Sequence, residues 1–444
     1  MFLQSGWKKM IWVASISLAV AACGGGGGDG GNPGPSITNP PVNPPINPGQ
    51  AAVDCTIPIT TFLQTIDHGA PDSIPSWDQL ACYTDDLVRL PQPDTFIATT
   101  DRPPAAVLPG PYETPPSAWE TMQAAEEWDQ LWAPYSTVDG GYHVNIPPYL
   151  TDFSGTQGPF FPLTAEQWDE KLRALMAYGI YEKRLGKIVT MSYFHSPLLG
   201  DEPYRSRLPQ ADISDSESFL AWWNNHFIPE RVKLAEIAEL LKAEEYMPWD
   251  VEPGIVVRQN GGDWLELLPV EERVALAQEI VDSLLAALRP VFTGKLSIIV
   301  YDSYAAVGDE WNALDVSGWD QVNFVFFTQG DLLGTEMYLD RQIAGYMEIL
   351  NRSTTHGQAI PWVAQEVTVE GDLHRSTLSQ LEPPLTFEEI EEDIYATVFD
   401  RLANAPVTPM GIGLTVGFIE TEAARTLVQQ KLAAIKADGF VPTP

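Results

Sequence analysis

From about residue 141 onward the chain alternates short apolar runs with longer stretches of helical periodicity. Strand-like runs fall at 142–146, 187–194, 244–252, 296–301, 321–327, 358–366 and 410–416. The stretch 164–184 is helical and opens with Thr164 and Gln167 at capping-box spacing; a second box, Ser214 and Glu217, opens helical sequence that runs to Ala243 with a break expected at Pro229. The clearest helix is 270–288, where Val270, Val274, Ala277, Val281, Leu284 and Leu288 recur four and three apart and Glu271 and Glu272 sit in the first turn. Further helices are expected at 336–351, after a Thr386–Glu389 box, and at 421–438, where Gly439 stops the last one. Strand followed by helix, repeated, means a parallel sheet with crossover helices. With a further strand at 95–99 the count is eight, which predicts an α/β fold of the (β/α)8 TIM-barrel kind. A doubly wound open sheet is the alternative, but the glycine-rich first turn expected of a nucleotide-binding version is missing.

The first 140 residues read differently. Lys8 and Lys9 precede an apolar run, 10–20, which is too short to span a bilayer as a mature helix. The small residues that follow end in Cys23, and the whole resembles a bacterial lipoprotein signal. That resemblance implies a signal peptide over 1–22, lipidation of Cys23 and a lipid-anchored place in the bacterial cell envelope; an ordinary secretory signal with an incidental cysteine is the other reading. Residues 23–50 are rich in Gly, Pro and Asn, cannot bury a core and read as a tether. Residues 51–140 read as an N-terminal elaboration, either the first barrel unit with additions or a small cap, with a helical candidate at 117–132; the rest of the barrel is expected over 141–444.

Charge narrows the partners. Twenty-five Lys+Arg against 60 Asp+Glu leave a net charge of −35, which argues against nucleic acid or an anionic membrane surface. The expected membrane contact is through the lipid anchor only. Cys55 and Cys82 are the two cysteines left after Cys23, and in an oxidising compartment they are expected to pair. No metal or cofactor motif stands out: the glycine run after Cys23 lacks the Lys-Ser/Thr of a phosphate loop, and the acidic run 388–393 lacks the spacing of a calcium loop.

Two stretches carry the chemistry. The run 244–252 closes on Glu252 and the run 358–366 closes on Glu366, each ahead of a loop. A carboxylate at the C-terminal end of a barrel strand is placed for acid–base work. Counting strands from 95–99, Glu252 ends the fourth and Glu366 the seventh. This arrangement resembles the clan of retaining glycosidases on TIM barrels, whose acid/base ends strand four and whose nucleophile ends strand seven. Ala243-Glu-Glu-Tyr246 leads to Asp250-Val-Glu252-Pro253 at the spacing that family shows around its acid. The match at Pro361 to Glu366 is looser, and 187–195 is similar to the family's third strand.

The resemblance implies a surface-anchored enzyme that hydrolyses a β-linked polysaccharide or oligosaccharide, such as a β-mannan or related β-glycan, without a cofactor. Glu366 would attack the anomeric carbon while Glu252, held protonated by the nearby carboxylate, donates to the leaving oxygen; retention requires the two groups about 5–5.5 Å apart. Two departures count against activity. Val251 stands where the family has an Asn, and no Trp follows Trp362 although the family has one at the end of strand eight. A catalytically inactive barrel lipoprotein that binds glycan or a protein partner is therefore the second reading.

The remaining candidates are substrate contacts: His195, Trp249, Asp250, Trp264, Tyr301 and Tyr304. Asp250 shares the alternation phase of Glu252 and competes with it for the acid's role. For His195 a structural histidine competes with a sugar contact, and packing competes for the two tyrosines and for Trp249 and Trp264. Trp222 and Trp223, on a predicted helix, read as packing.

Overall fold

The computed structural model describes residues 76–99, 135, 139, 149–150, 161–162, 165–184, 186–192, 214–248, 264–300, 313–369 and 371–442. Seven of its strands form one sheet: β1 (Phe96–Thr99), β2 (Thr190–Ser192), β3 (Glu245–Met247), β4 (Lys295–Val300), β5 (Gln321–Phe327), β6 (Trp362–Thr368) and β7 (Gly411–Leu414). All pairs are parallel, in the spatial order β1-β7-β6-β5-β4-β3-β2. The first strand therefore lies beside the last, and the rest follow chain order without the reversal that defines a doubly wound sheet.

The two edges of this sheet meet. Laid flat, seven strands at ~4.8 Å spacing would hold β1 and β2 about 29 Å apart. Instead Phe96 on β1 packs with Ile188, just ahead of β2, in one buried cluster with Leu90. Glu244 clasps the same region: its carboxylate accepts from the backbone N–H of Leu90 and of Val189, both at 2.7 Å, and pairs with the buried Lys183 ammonium. The sheet is thus curled into an α/β barrel. The strand expected at 142–146 lies outside the described residues. Asp139, just before it, bonds to the edge of β1 that faces away from β7, taking the Ile97 N–H on its side chain and donating its own N–H to the Ile97 carbonyl, each at 3.0 Å.

Gly411 lets β1 and β7 approach. A Cβ there would lie 2.4 Å from the Phe96 carbonyl oxygen, closer than any side chain can sit.

Helices cover the outer face. They are α1 (Trp77–Ala81), α2 (Ala165–Arg184), α3 (Ser216–Trp222), α4 (Ile228–Leu240), α5 (Trp264–Leu267), α6 (Val270–Leu288), α7 (Leu332–Arg352), α8 (Gly371–Leu378), α9 (Phe387–Ala403) and α10 (Glu422–Asp438). Alternate strand residues, among them Tyr246, Ile298, Val300, Phe324, Phe326, Trp362 and Ile412, join the main core beneath these helices. The residues between them face the barrel interior.

The expected helix 270–288 forms with those bounds, but its buried face is rotated from the expected stripe. Val270 is 52% exposed, while Leu276 and Ile280 are buried. The helix seats two apolar rows, and the four-and-three stripe marks only one edge of that face. The second capping box is Asp215 with Ser218 rather than Ser214 with Glu217. No break occurs at Pro229: a π turn, Trp223–Phe227, joins α3 to α4 and places the proline in the first turn of α4, where a missing N–H is tolerated. Trp222 and Trp223 are buried there, Trp223 stacking on Phe227 at 4.0 Å between ring centroids.

The Glu366 strand starts later and ends later than its apolar run suggests. Gln358–Ala359 belongs to a separate two-stranded ribbon with Thr354–Thr355, turned by His356 and Gly357 at positive φ. Gly439, at φ 73°, ends α10 as expected.

Candidate active site

The barrel interior is layered. Near the N-terminal strand ends lies a buried polar group centred on Glu245. Its Oε1 accepts from Ser297 Oγ at 2.5 Å, Asn323 Nδ2 at 3.1 Å and Gln321 Nε2 at 3.2 Å. Gln321 also donates to Asn323 Oδ1 at 2.7 Å and accepts from Lys295 Nζ at 2.8 Å, so one side chain's bonds orient the next. Burial pushes the Lys295 ammonium below its ordinary value, against the pull of Glu245 and Asp320. Above this floor Met247, Ile299 and Val325 make an apolar layer with Phe327 against it. The next level up is the mouth, formed by the C-terminal strand ends.

At the mouth β6 departs from regular pairing. Gln365 lies opposite Val325 and Val367 opposite Phe326, so Glu366 is one residue more than β5 provides. On the other side the shift falls between Ala364 and Val367. Glu366 is therefore the extra residue of a β-bulge, a device that re-aims a side chain or bends a strand and that is frequent beside active sites. Two residues further on, Thr368 ends the strand.

Three threonines stand at the ends of three adjacent strands: Thr328 after β5, Thr368 closing β6 and Thr415 after β7. Thr328 N–H donates to the Thr368 carbonyl at 3.3 Å, and the Thr368 and Thr415 hydroxyls are 3.1 Å apart. Thr328 Oγ1 lies 3.0 Å from Nε2 of His374, which is fully buried on α8. The other nitrogen, Nδ1, lies 2.7 Å from the Gly330 carbonyl oxygen. A carbonyl only accepts, so Nδ1 carries the proton. Burial lowers the His374 pKa, and in the neutral ring Nε2 is left to accept from the Thr328 hydroxyl.

Its neighbour Arg375 anchors the other side of α8. It reaches Asp372 and Glu388, each at 3.0 Å, and also Glu420 in the loop after β7, and it lies over the Phe387 ring at 5.4 Å. These contacts, Glu388 foremost, hold the guanidinium above its usual range. Glu391, fully buried on α9, accepts from Glu420 N and Thr421 N at 2.8 and 2.7 Å and so fixes the start of α10. Residues 374 and 375 together tie down the loops that follow three neighbouring strands.

Of the residues singled out in the sequence, Glu366 is placed by its backbone at the bulge. Trp264 lies on α5, half-buried against the main core, its ring 6.3 Å from that of Phe219. Cys82 caps the end of α1. Glu252, His195, Trp249, Asp250, Tyr301, Tyr304, Cys23 and Cys55 lie outside the described residues. Sequence reading missed Glu245, His374 and the three threonines. A signal for the last was present, since each of three successive apolar strand runs carries a Thr at or within two residues of its C-terminal end. Among the described residues no group of His, Cys, Asp and Glu could hold a metal ion, and no helix is long and apolar enough to cross a membrane.

No protein-family model and no curated protein matches the chain. Solved structures similar to it include a GH113 β-1,4-mannanase at 14% identity and TM-score 0.43, covering 78% of this chain and 100% of that one. A GH5 xyloglucan-specific endo-β-1,4-glucanase from a metagenomic library is 9% identical at TM-score 0.43, covering 83% of this chain and 99% of that one. The GH113 β-mannanase AaManA from Alicyclobacillus acidocaldarius is 11% identical at TM-score 0.38, covering 79% and 99%. The barrel stands on its own strand order and edge contacts.

Proposed function

We propose that the protein is a retaining glycoside hydrolase acting on a β-linked polysaccharide, with Glu366 as nucleophile and Glu252 as acid/base. The observation that carries the reading is the bulge at Glu366, near the C-terminal end of a strand in an all-parallel barrel. In the first step a Glu366 oxygen bonds to the anomeric carbon as the glycosidic C–O bond breaks, and Glu252 gives its proton to the departing oxygen. In the second, Glu252 takes a proton from water, the water oxygen bonds to the anomeric carbon, and Glu366 leaves. The threonine and histidine network holds the strand end that bears the nucleophile. A lipid anchor at Cys23, a tether over 23–50 and a Cys55–Cys82 disulfide complete the proposed envelope-bound arrangement.

The test is reducing-end release from a panel of β-mannan, β-glucan and xyloglucan by the wild type, Glu252→Gln and Glu366→Gln. Each substitution is expected to lower release by about 10³-fold or more, since each removes a group that acts in the transition state. Release that survives Glu366→Gln would refute the assignment of the nucleophile. Val251, in place of an amide side chain beside Glu252, favours the second reading, a barrel that binds glycan without cutting it. In that case the wild type and both variants bind the same polysaccharide and none releases sugar.

A further inference from the structure

We propose that His374 is a positioning residue for the Glu366 strand end, acting through Thr328. The connection is a closed ring of contacts. His374 donates from Nδ1 to the Gly330 carbonyl at 2.7 Å, which fixes α8 to the loop after β5. Its Nε2 accepts from Thr328 Oγ1 at 3.0 Å, and the Thr328 N–H donates to the Thr368 carbonyl at 3.3 Å. Thr368 lies two residues beyond the bulged Glu366 and in register with Phe327. Ladder pairing is interrupted at a bulge, so the segment after it depends on other anchors to fix its position. The pairing of Val367 and Thr368 with Phe326 and Phe327 is two residues long before the strand ends. On the β5 side the Thr328 bond, backed by a neutral imidazole, continues it; on the β7 side Thr415 N–H donates to the Val367 carbonyl at 3.3 Å.

The side chains in the ring are enclosed: His374 and Thr328 are fully buried and Thr368 is 3% exposed, while Gly330 is half-buried. A hydroxyl or imidazole left without its partner there has no water to turn to, so removal of one member displaces the others. The imidazole also lies 5.3 Å from the Phe387 ring, which restrains it from the side of α9. This inference rests on the proposed role of Glu366 for its catalytic consequence, but its structural part does not.

The experiment uses the full chain with Thr328→Val, Thr328→Ser, His374→Phe and His374→Asn, read by amide hydrogen exchange and by steady-state kinetics on whichever polysaccharide the wild type cleaves. Exchange at the Thr328 amide reports directly on its bond to Thr368. Thr328→Val and His374→Phe are expected to speed that exchange about tenfold while the amides of α6 keep their rates. They are also expected to lower kcat about tenfold with KM within about twofold, the signature of a misplaced catalytic group rather than lost binding. Thr328→Ser, which keeps the hydroxyl, restores both. His374→Asn keeps a donor toward Gly330 and falls between. Unchanged exchange at the Thr328 amide in Thr328→Val overturns the proposal, and so does a rise spread equally over α6. If the wild type cleaves no glycan, the glycosidase reading fails and exchange alone decides whether His374 anchors the strand end.

Discussion

Lys183→Met is the perturbation that tests barrel closure most sharply. Lys183 and Glu244 are an ion pair whose side chains are 2% and 1% exposed. Methionine keeps much of the lysine stem but removes the ammonium, leaving the Glu244 carboxylate with two backbone donors, Leu90 N and Val189 N. It also strips the Lys242 carbonyl of a donor at 3.1 Å. Removing one partner of a buried pair costs about 3–5 kcal/mol, because the remaining charge stays out of water. An exposed pair would cost about 0–1 kcal/mol. The two magnitudes are far enough apart for a denaturant titration followed by tryptophan fluorescence to separate them. Adding Glu244→Gln to Lys183→Met removes the stranded carboxylate, so the double variant is expected to lose less than the sum of the singles by about 1–3 kcal/mol. A loss below about 1 kcal/mol for Lys183→Met would refute the reasoning, since it would mean that water reaches the clasp joining the edges of the sheet.

Other outcomes follow from the same geometry. Gly411→Ala drives a Cβ against the Phe96 carbonyl and is expected to cost about 1–3 kcal/mol by overpacking, measured as a lowered unfolding midpoint. Asn323→Leu deprives Glu245 of one donor and Gln321 of one of its two acceptors inside the barrel; a loss of about 2–4 kcal/mol is expected, and a neutral result would mean that the polar floor is hydrated. Burial holds the His374 pKa below its ordinary 6.5, so the unfolded chain binds a proton that the folded chain refuses. That contribution to stability is complete above the ordinary value and is lost as pH falls through it. His374→Phe should therefore show a shallower loss of stability on acidification than the wild type, measured by unfolding at a series of pH values.

The barrel was legible because its determinants are local. Alternating strand and helix periodicities are written in contiguous residues, and 270–288 forms a helix with the bounds its pattern suggests. What the pattern hides depends on a single residue or on distant partners. One extra residue at Glu366 reverses the alternation along β6, and nothing in an apolar run marks where such an insertion falls. The Glu245 floor draws its donors from β4 and β5, so Glu245 reads in sequence as half of an unremarkable acidic pair beside Glu244. The same pair shows how strand phase decides role, with Glu244 clasping the strand approaches and Glu245 filling the interior. Pro229 suggests a helix break because a proline usually makes one, yet the π turn before it supplies the slack. His374 is isolated in sequence, and its meaning comes from Thr328 and Gly330 at the end of the neighbouring strand.

The central claim is that Glu366 is the nucleophile of a double displacement, and the most direct measurement is to trap it. Incubation with 2-deoxy-2-fluoro β-glycosyl fluorides of the manno and gluco series, followed by peptide mass spectrometry, should find the sugar bonded to the peptide that contains Glu366. An adduct on a different carboxylate, or none in a preparation that cleaves polysaccharide, would contradict the account.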